Sequence, residues 1–350
     1  MTALSAPLLS ALSAAADRAD AAADWPAESW RLLIGAGVLA WSIPPVYGGA
    51  GKSAVELLSG YELLAGACLS TAFILSQREA AVRRLVASPN SALAARVLPA
   101  LARGEQFATV GLSQLTTSRQ HQQPTLRVTR DAGGFQLDGL TPWVTGADHA
   151  DLIVIGATLP DDRQVLLALS PKQTGVTIDP PMDLMALAGS RTCQVRCDHV
   201  TVPAEALVAG PAEKILVGKP GGVGGLETSC LALGLAGAAI DFTGQEAANR
   251  PDLVPLAERF QRVRTRTRSR LHTLAVESPT QEAMIAIRVD CTRLVLQATQ
   301  VALTVAKGSG FVRPHPAQRW ARQALFFLVW SCPRPAAEGV IGHLLPEAAE

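Results

Sequence analysis

Between about Phe107 and Val208 the 350-residue chain changes character, and this change constrains its fold more than any other feature. Ahead of it, Ala-rich segments with apolar residues at i, i+3 and i+4 predict helices. Inside it, β-branched runs, turn dipeptides and short alternation predict strands. From Leu226 onward helical periodicity returns and continues to the end. An α segment, a β segment and a second α segment, each of about 100 residues, predict an α+β chain of three units. The expected boundaries are 1–108 for an N-terminal helical domain, 109–208 for a central β-barrel-like domain and 209–350 for a C-terminal four-helix bundle.

The centre of the β block is the stretch from Gly134 to Ile155. Phe135, Leu137 and Leu140 are spaced for a sheet face, Asp138-Gly139 is a tight-turn dipeptide, and Leu152 to Ile155 is a buried strand. Between them lies Trp143-Val144-Thr145-Gly146. On a strand Trp143 and Thr145 point to the same face, which sets a flat apolar plate beside a hydrogen-bond donor. A planar ring system such as a flavin needs that pairing. A core tryptophan beside a threonine of high β-propensity satisfies the same spacing.

The totals exclude several classes. Net charge is +1, so no global field points to nucleic acid or to an acidic membrane. The six cysteines form no C-x-x-C pair, which fits reduced, mostly buried thiols and neither a disulfide framework nor a metal site. Asp17, Arg18, Asp20 and Asp24 interrupt the Ala-rich N-terminus, unlike a signal peptide. The longest weakly polar run, Cys230 to Ile240, is too short to span a bilayer. A cytoplasmic globular protein without a membrane partner is the expectation.

Punctuation along the chain sharpens the helices. One is expected from Trp30 to Leu39, followed by a loop forced by Pro44-Pro45 and Gly48-Gly49. Ser53 with Glu56 makes a capping box for the next. A further helix spans about Ser91 to Ala102 and stops at Arg103-Gly104. After a Gly-, Pro- and Lys-rich linker at 209–224, helices are expected at Gly225 to Phe242, Leu253 to Glu277, Glu282 to Ala306 and Gln318 to Trp330. The second of these carries arginines at positions 262, 264, 266, 268 and 270. Alternate positions cannot share one helix face, so they mark a solvated or subunit-interface helix and not a nucleic-acid site.

The stretch at Gly134 resembles the middle domain of the acyl-CoA dehydrogenase family, which reads roughly G-x-x-L-x-G-x-K-x-W-I-T-N-G. The likeness extends to Ile43-Pro44 with Tyr47-Gly48-Gly49 and to the leucine-rich helix before Gly104-Glu105. It continues at Ser190-Arg191-Thr192 and at Val202-Pro203-Ala204-Glu205, with His199 as an extra residue after Asp198. Beyond the linker it includes Arg250 eleven positions before Gln261, and Lys307-Gly308-Ser309-Gly310-Phe311. The resemblance implies FAD as cofactor. Trp143 would lie beside the isoalloxazine and Thr145 would bond its N5 side. Leu112, Ser113, Thr116, Thr117 and Ser118 occupy the place of the loop that holds the pyrimidine edge and the pyrophosphate, although the Pro, the Gly pair and the Asp of that loop are missing. Arg250, with Gln261, would reach the pyrophosphate of a neighbouring subunit, which requires a homodimer or homotetramer.

The resemblance also raises the question of the base. The usual family Glu lies in a Y-E-G-T loop, and that place reads Trp330-Ser331-Cys332-Pro333 here. Some members instead place the Glu at the start of the first C-terminal helix, seven residues before a Gly. Glu227 and Gly234 keep that spacing, and Glu227 is the lone acid of an apolar helix start. It serves either as a base or as an acid complementing the helix dipole. Three functions are therefore open: dehydrogenation of an acyl-CoA or related substrate, with an electron-transfer partner and Glu227 as base; a flavin-dependent monooxygenase of the same fold; or a non-catalytic relative that binds or assembles.

Overall fold

Ser53 and Glu56 do form a capping box: the Ser53 hydroxyl accepts from the Glu56 N–H, and the Glu56 carboxylate accepts from the Ser53 N–H at 3.0 Å. The computed structural model describes residues 4–22, 24–115, 124–131, 133–216, 225–277 and 279–345. The box opens α3 (Ala54–Ala67), which follows α1 (Ala6–Ala21) and α2 (Ala27–Gly35) and precedes α4 (Leu69–Val86) and α5 (Ser91–Arg103). The helix expected from Trp30 to Leu39 is in fact α2 plus a 3-10 turn at Val38–Ala40, because Gly37 takes φ +68° and breaks the run. Gly104 ends α5 in the left-handed conformation. Ser53→Ala is expected to cost about 1 kcal/mol, read as a lower denaturation midpoint in urea with unchanged helix content.

Among the described residues the β segment holds eight strands: β1 (Ala108–Gly111), β2 (Leu126–Asp131), β3 (Gly134–Val144), β4 (Leu152–Thr158), β5 (Gln164–Leu169), β6 (Val176–Ile178), β7 (Cys193–Pro203) and β8 (Leu207–Ala212). One run is β6-β7-β3-β2, antiparallel throughout. The other is β4-β5-β8 with β1 lying parallel on β4. The two meet at a single pair, Arg127 opposite Thr158. The sheet is open, with β6 and β8 at its ends, and does not close into a barrel.

One sequence expectation fails inside β3. Asp138-Gly139 makes no turn; β3 runs straight through it, and the β2–β3 connection lies between Asp131 and Gly134. Gly139 is needed there for another reason: at φ +118° a Cβ would stand 2.2 Å from the Thr125 carbonyl oxygen. Opposite, the β3–β7 register slips between Leu137 and Gly139, so that Asp138 faces the extra residue His199. His199 has φ +49°, and its N–H donates to the Asp138 carboxylate at 2.9 Å. This is a bulge, in which one additional residue is accommodated by a local kink.

The C-terminal part comprises α6 (Leu226–Ala247), α7 (Val254–Val276), α8 (Gln281–Ala306), α9 (Pro316–Leu325) and α10 (Arg334–Leu344). The expected fourth helix ends early at Leu325, continues as a 3-10 turn at Phe326–Leu328, and is followed by α10, which the sequence reading did not anticipate. By length and composition α6 could cross a membrane, with mean hydropathy 1.2, but 72% of that window is buried inside the molecule. It packs on α3, where a Cβ on Gly234 would lie 2.3 Å from the Glu62 carbonyl oxygen. Only a glycine permits that approach. The arginine-rich α7 divides its charges by face. Arg264 and Arg268 turn inward to the buried Glu62, with Arg264 also on Asp241, while Arg262 pairs with Glu258 and Arg270 with Asp290.

Asp20 joins all three parts. Only 2% exposed, it accepts from the Leu187 N–H (3.0 Å) between β6 and β7, from Gln323 Nε2 (2.8 Å) and from Arg322 Nη2 (2.8 Å) on α9. One turn earlier Asp17 pairs with Arg319 at 3.0 Å.

Candidate functional site

At the end of β3 the slip in register against β7 between Thr141 and Val144 places Trp143 at φ +61°. Trp143 and Thr145 consequently do not share a face. Trp143 is 57% exposed, whereas Thr145 is buried at 2%. Alternation fails here because a left-handed residue reverses the direction in which its side chain leaves the strand. Thr145 ends a row of hydroxyls: its Oγ1 lies 3.3 Å from Thr192 Oγ1, which lies 2.9 Å from Ser190 Oγ. Its carbonyl accepts from the Thr109 hydroxyl on β1 at 2.8 Å.

The start of the expected cofactor loop meets this group. Gly111 is packed so closely on Thr141 that a Cβ would come within 3.1 Å of it. The Ser113 hydroxyl donates to the Pro142 carbonyl at 2.6 Å, and Leu112 is buried beside it. Leu112, Ser113, Trp143 and Thr145 are thus brought together by β1 and β3. Thr116, Thr117 and Ser118 lie outside the described residues. Behind Thr145, Gly146 closes on Phe107 and Trp25, and Trp25 stacks on His149 with centroids 4.6 Å apart. Burial pushes the His149 imidazole below its usual value, against the opposing pull of Asp148.

Arg250 and Gln261 stand apart from that group, with their hydrogen bonds inside the helical bundle. Arg250 Nη1 donates to the Val305 carbonyl at 2.9 Å, and Gln261 Nε2 to Asp241 at 2.9 Å.

Glu227 sits in the first turn of α6. Its carboxylate lies 3.3 Å from Arg83 Nη1 on α4, with both side chains roughly three-quarters buried, at 28% and 22% exposure. Burial pulls the Arg83 guanidinium down, but Glu227, Tyr61 and Glu79 outweigh it and hold it above its ordinary value. The adjacent Arg84 is pushed down to about 10, by burial first and by Arg83 second. Tyr61 is buried on α3, its hydroxyl has no hydrogen-bond partner, and burial raises its phenol well above the usual range. Glu227 is therefore an acid at a helix N-terminus facing two cations and a neutral phenol. A carboxylate so placed can act on a proton brought beside it. Arg83 and Tyr61 were not apparent in the sequence; the Arg83-Arg84 pair near the end of α4 was the available signal.

The Trp330–Pro333 segment lies elsewhere in the chain and is built differently. Trp330 stacks on Phe326 (5.1 Å between centroids, 11° between planes), and Phe73 of α4 meets both rings edge-on at 4.9 Å. Ser331 follows at φ +46°.

Residues 9–105 match the N-terminal domain model of acyl-CoA dehydrogenases. The whole chain is similar to the probable acyl-CoA dehydrogenase YngJ of Bacillus subtilis, 24% identical over 341 residues, covering 88% of this chain and 87% of that protein. It is 26% identical to the mitochondrial isovaleryl-CoA dehydrogenase of Pongo abelii over 346 residues, or 90% and 80% of the two chains. The butyryl-CoA dehydrogenase structure from Megasphaera elsdenii superimposes with a TM-score of 0.84, covering 97% of each chain at 18% identity. The two sequence comparisons point to acyl-CoA dehydrogenases, and the structural one shows the same fold. The order of N-terminal helices, central sheet and C-terminal helices is the acyl-CoA dehydrogenase fold.

Proposed function

We propose that this acyl-CoA dehydrogenase relative is an FAD-dependent oxidoreductase that introduces a Cα–Cβ double bond into an acyl thioester, with Glu227 as the base. The observation that carries the reading is Glu227 itself: the lone acid of the apolar α6 start, partly exposed and held by Arg83. The substrate is an acyl-CoA or a related thioester, an electron-transfer protein takes the electrons onward, and a cytoplasmic homodimer or homotetramer is the working form.

The described residues fit the cofactor at its ring end. Trp143 is exposed at the end of β3, where Ser113 bonds the preceding Pro142 carbonyl and Thr145 begins the hydroxyl row with Thr192. Leu112 and Ser113 would line the pyrimidine edge, Thr116, Thr117 and Ser118 the pyrophosphate, and Arg250 with Gln261 the pyrophosphate of a neighbouring subunit. An Arg fork suits a diphosphate. When bound, FAD accepts the hydride leaving the substrate β-carbon. Glu227 takes the α-proton, Arg83 orients its carboxylate, and the buried Tyr61 helps to exclude water beside it.

The test is a visible spectrum of the purified protein before and after adding FAD, then anaerobic addition of acyl-CoAs. A stoichiometric flavin band that bleaches with an acyl-CoA alone is expected. No band after FAD addition would leave the binding or assembly role. One observation favours a second reading, a flavin monooxygenase: Ser331 stands where the family's usual Glu is found. A bound flavin that only an external reductant bleaches would select it.

A further inference from the structure

Helix α7 carries six arginines against one carboxylate, Glu258, so it holds a charge of +5 in a chain whose net charge is +1, and the rest of the chain stands at −4. Arg264 and Arg268 turn inward to Glu62 and Asp241. The other four, Arg259, Arg262, Arg266 and Arg270, are exposed. They stand at i, i+3, i+7 and i+11, which sets them in one row along a single helix face about 16 Å long. Arg262 lies 3.4 Å from Glu258, and Arg270 pairs with Asp290. Among the described residues no ion pair engages Arg259 or Arg266. The opposite face, with Ala257, Thr267 and Leu271 buried, packs α7 onto the molecule.

We propose that the outer row of α7 is a docking surface for an acidic protein partner, whose carboxylates pair with Arg259 and Arg266. An Arg fork takes a carboxylate through two parallel hydrogen bonds, and arginine is a frequent anchor of protein interfaces. Other occupants match the row less well. A second copy related by a two-fold axis would set the row against itself, like charge on like. A membrane surface calls for an apolar face turned outward, whereas Val263 is the one exposed large hydrophobic residue between Arg259 and Arg270. Duplex nucleic acid presents one charge per about 1.7 Å. Glu258 and Asp290 leave this row with two open cations, about 10 Å apart along the helix. Two such cations suit a pair of carboxylates on a facing protein. The assignment does not rest on the flavin chemistry proposed above.

The experiment is a fluorescence anisotropy titration of the full chain against a fluorescein-labelled oligoglutamate of about 15 residues, long enough to span the row as a helix. Binding is expected at low salt and should weaken steeply as salt is added. Arg259→Glu with Arg266→Glu should raise the Kd at least about tenfold, since close opposite charges across an interface become like charges. Arg96→Glu with Lys172→Glu, which makes the same change of net charge at exposed positions outside α7, should leave it within about twofold. Absence of binding, or equal losses in the two double variants, overturns the proposal. So does tighter binding of a duplex DNA or of phosphatidylglycerol vesicles through Arg259 and Arg266, which would make the row a phosphate or membrane site. A change of oligomeric state on charge reversal, read by sedimentation, would make it a subunit contact and also overturns it. If the glutamate variant fails to fold by circular dichroism, Arg259→Gln with Arg266→Gln decides by the same comparison.

Discussion

Glu227→Gln is expected to lower the rate at which an acyl-CoA bleaches the bound flavin by about 10²- to 10⁴-fold, the usual contribution of a positioned base. The glutamine keeps the shape and still contacts Arg83, but it cannot accept the α-proton. Because Trp143, Leu112, Ser113 and Thr145 belong to β1, β3 and their flanks, whereas Glu227 belongs to α6, FAD affinity and the flavin spectrum should stay unchanged. A variant that loses both flavin and activity would instead indicate a structural role for the Glu227–Arg83 pair. A variant that retains full bleaching would remove Glu227 from the chemistry.

The largest effect on stability is expected at Glu79. Its side chain is 1% exposed and that of Arg78 is 0% exposed, and the two form an ion pair inside the N-terminal helices. Arg78 also donates to the Leu101 carbonyl at 2.7 Å, which fastens α4 to α5, and the Ser42 hydroxyl donates to Glu79. Removing one partner of a buried pair leaves the other charge uncompensated, so Glu79→Ala should cost about 3–5 kcal/mol. Glu79→Gln, which still accepts from Ser42, should cost less. Urea denaturation followed by circular dichroism measures both. A loss below about 1 kcal/mol for the alanine variant, within the range of an exposed ion pair, would show that water reaches this pair.

The parts of the chain legible in the sequence are those set by local chemistry. Ser53 and Glu56 are three residues apart and satisfy each other wherever α3 packs, and Gly104 ends α5 through its own backbone freedom. The switch from helical to strand periodicity near Phe107 is equally local. What was misread depends on a partner strand or helix. Asp138-Gly139 carries a turn signature, but β7 lies alongside and absorbs His199 opposite it, so the strand continues. Trp143 and Thr145 were given a common face by alternation, and the slipped β3–β7 register sends them apart. The open sheet with a one-pair junction between its halves leaves no trace in strand patterning, since each strand alternates the same way whether or not a barrel closes. At the site, Glu227 was visible as an isolated acid; Arg83 and Tyr61 were not, because their significance comes from contacts between α3, α4 and α6.

Asp20 carries a consequence for how the molecule comes apart. Its carboxylate bonds to the chain between β6 and β7 and to two side chains of α9, and the carboxylate itself belongs to α1. Peeling α1 away would take the Asp20 carboxylate from three donors at once, the Leu187 N–H, Gln323 and Arg322, of which Arg322 keeps Gln318 as a second acceptor. Regions coupled in that way melt together, without a stepwise release of the first helix, then the sheet, then the bundle. Hydrogen exchange at the Leu187 amide should accordingly report the same opening free energy as the amides of α1 and α9. A single buried carboxylate thus makes three architecturally separate parts behave as one cooperative unit.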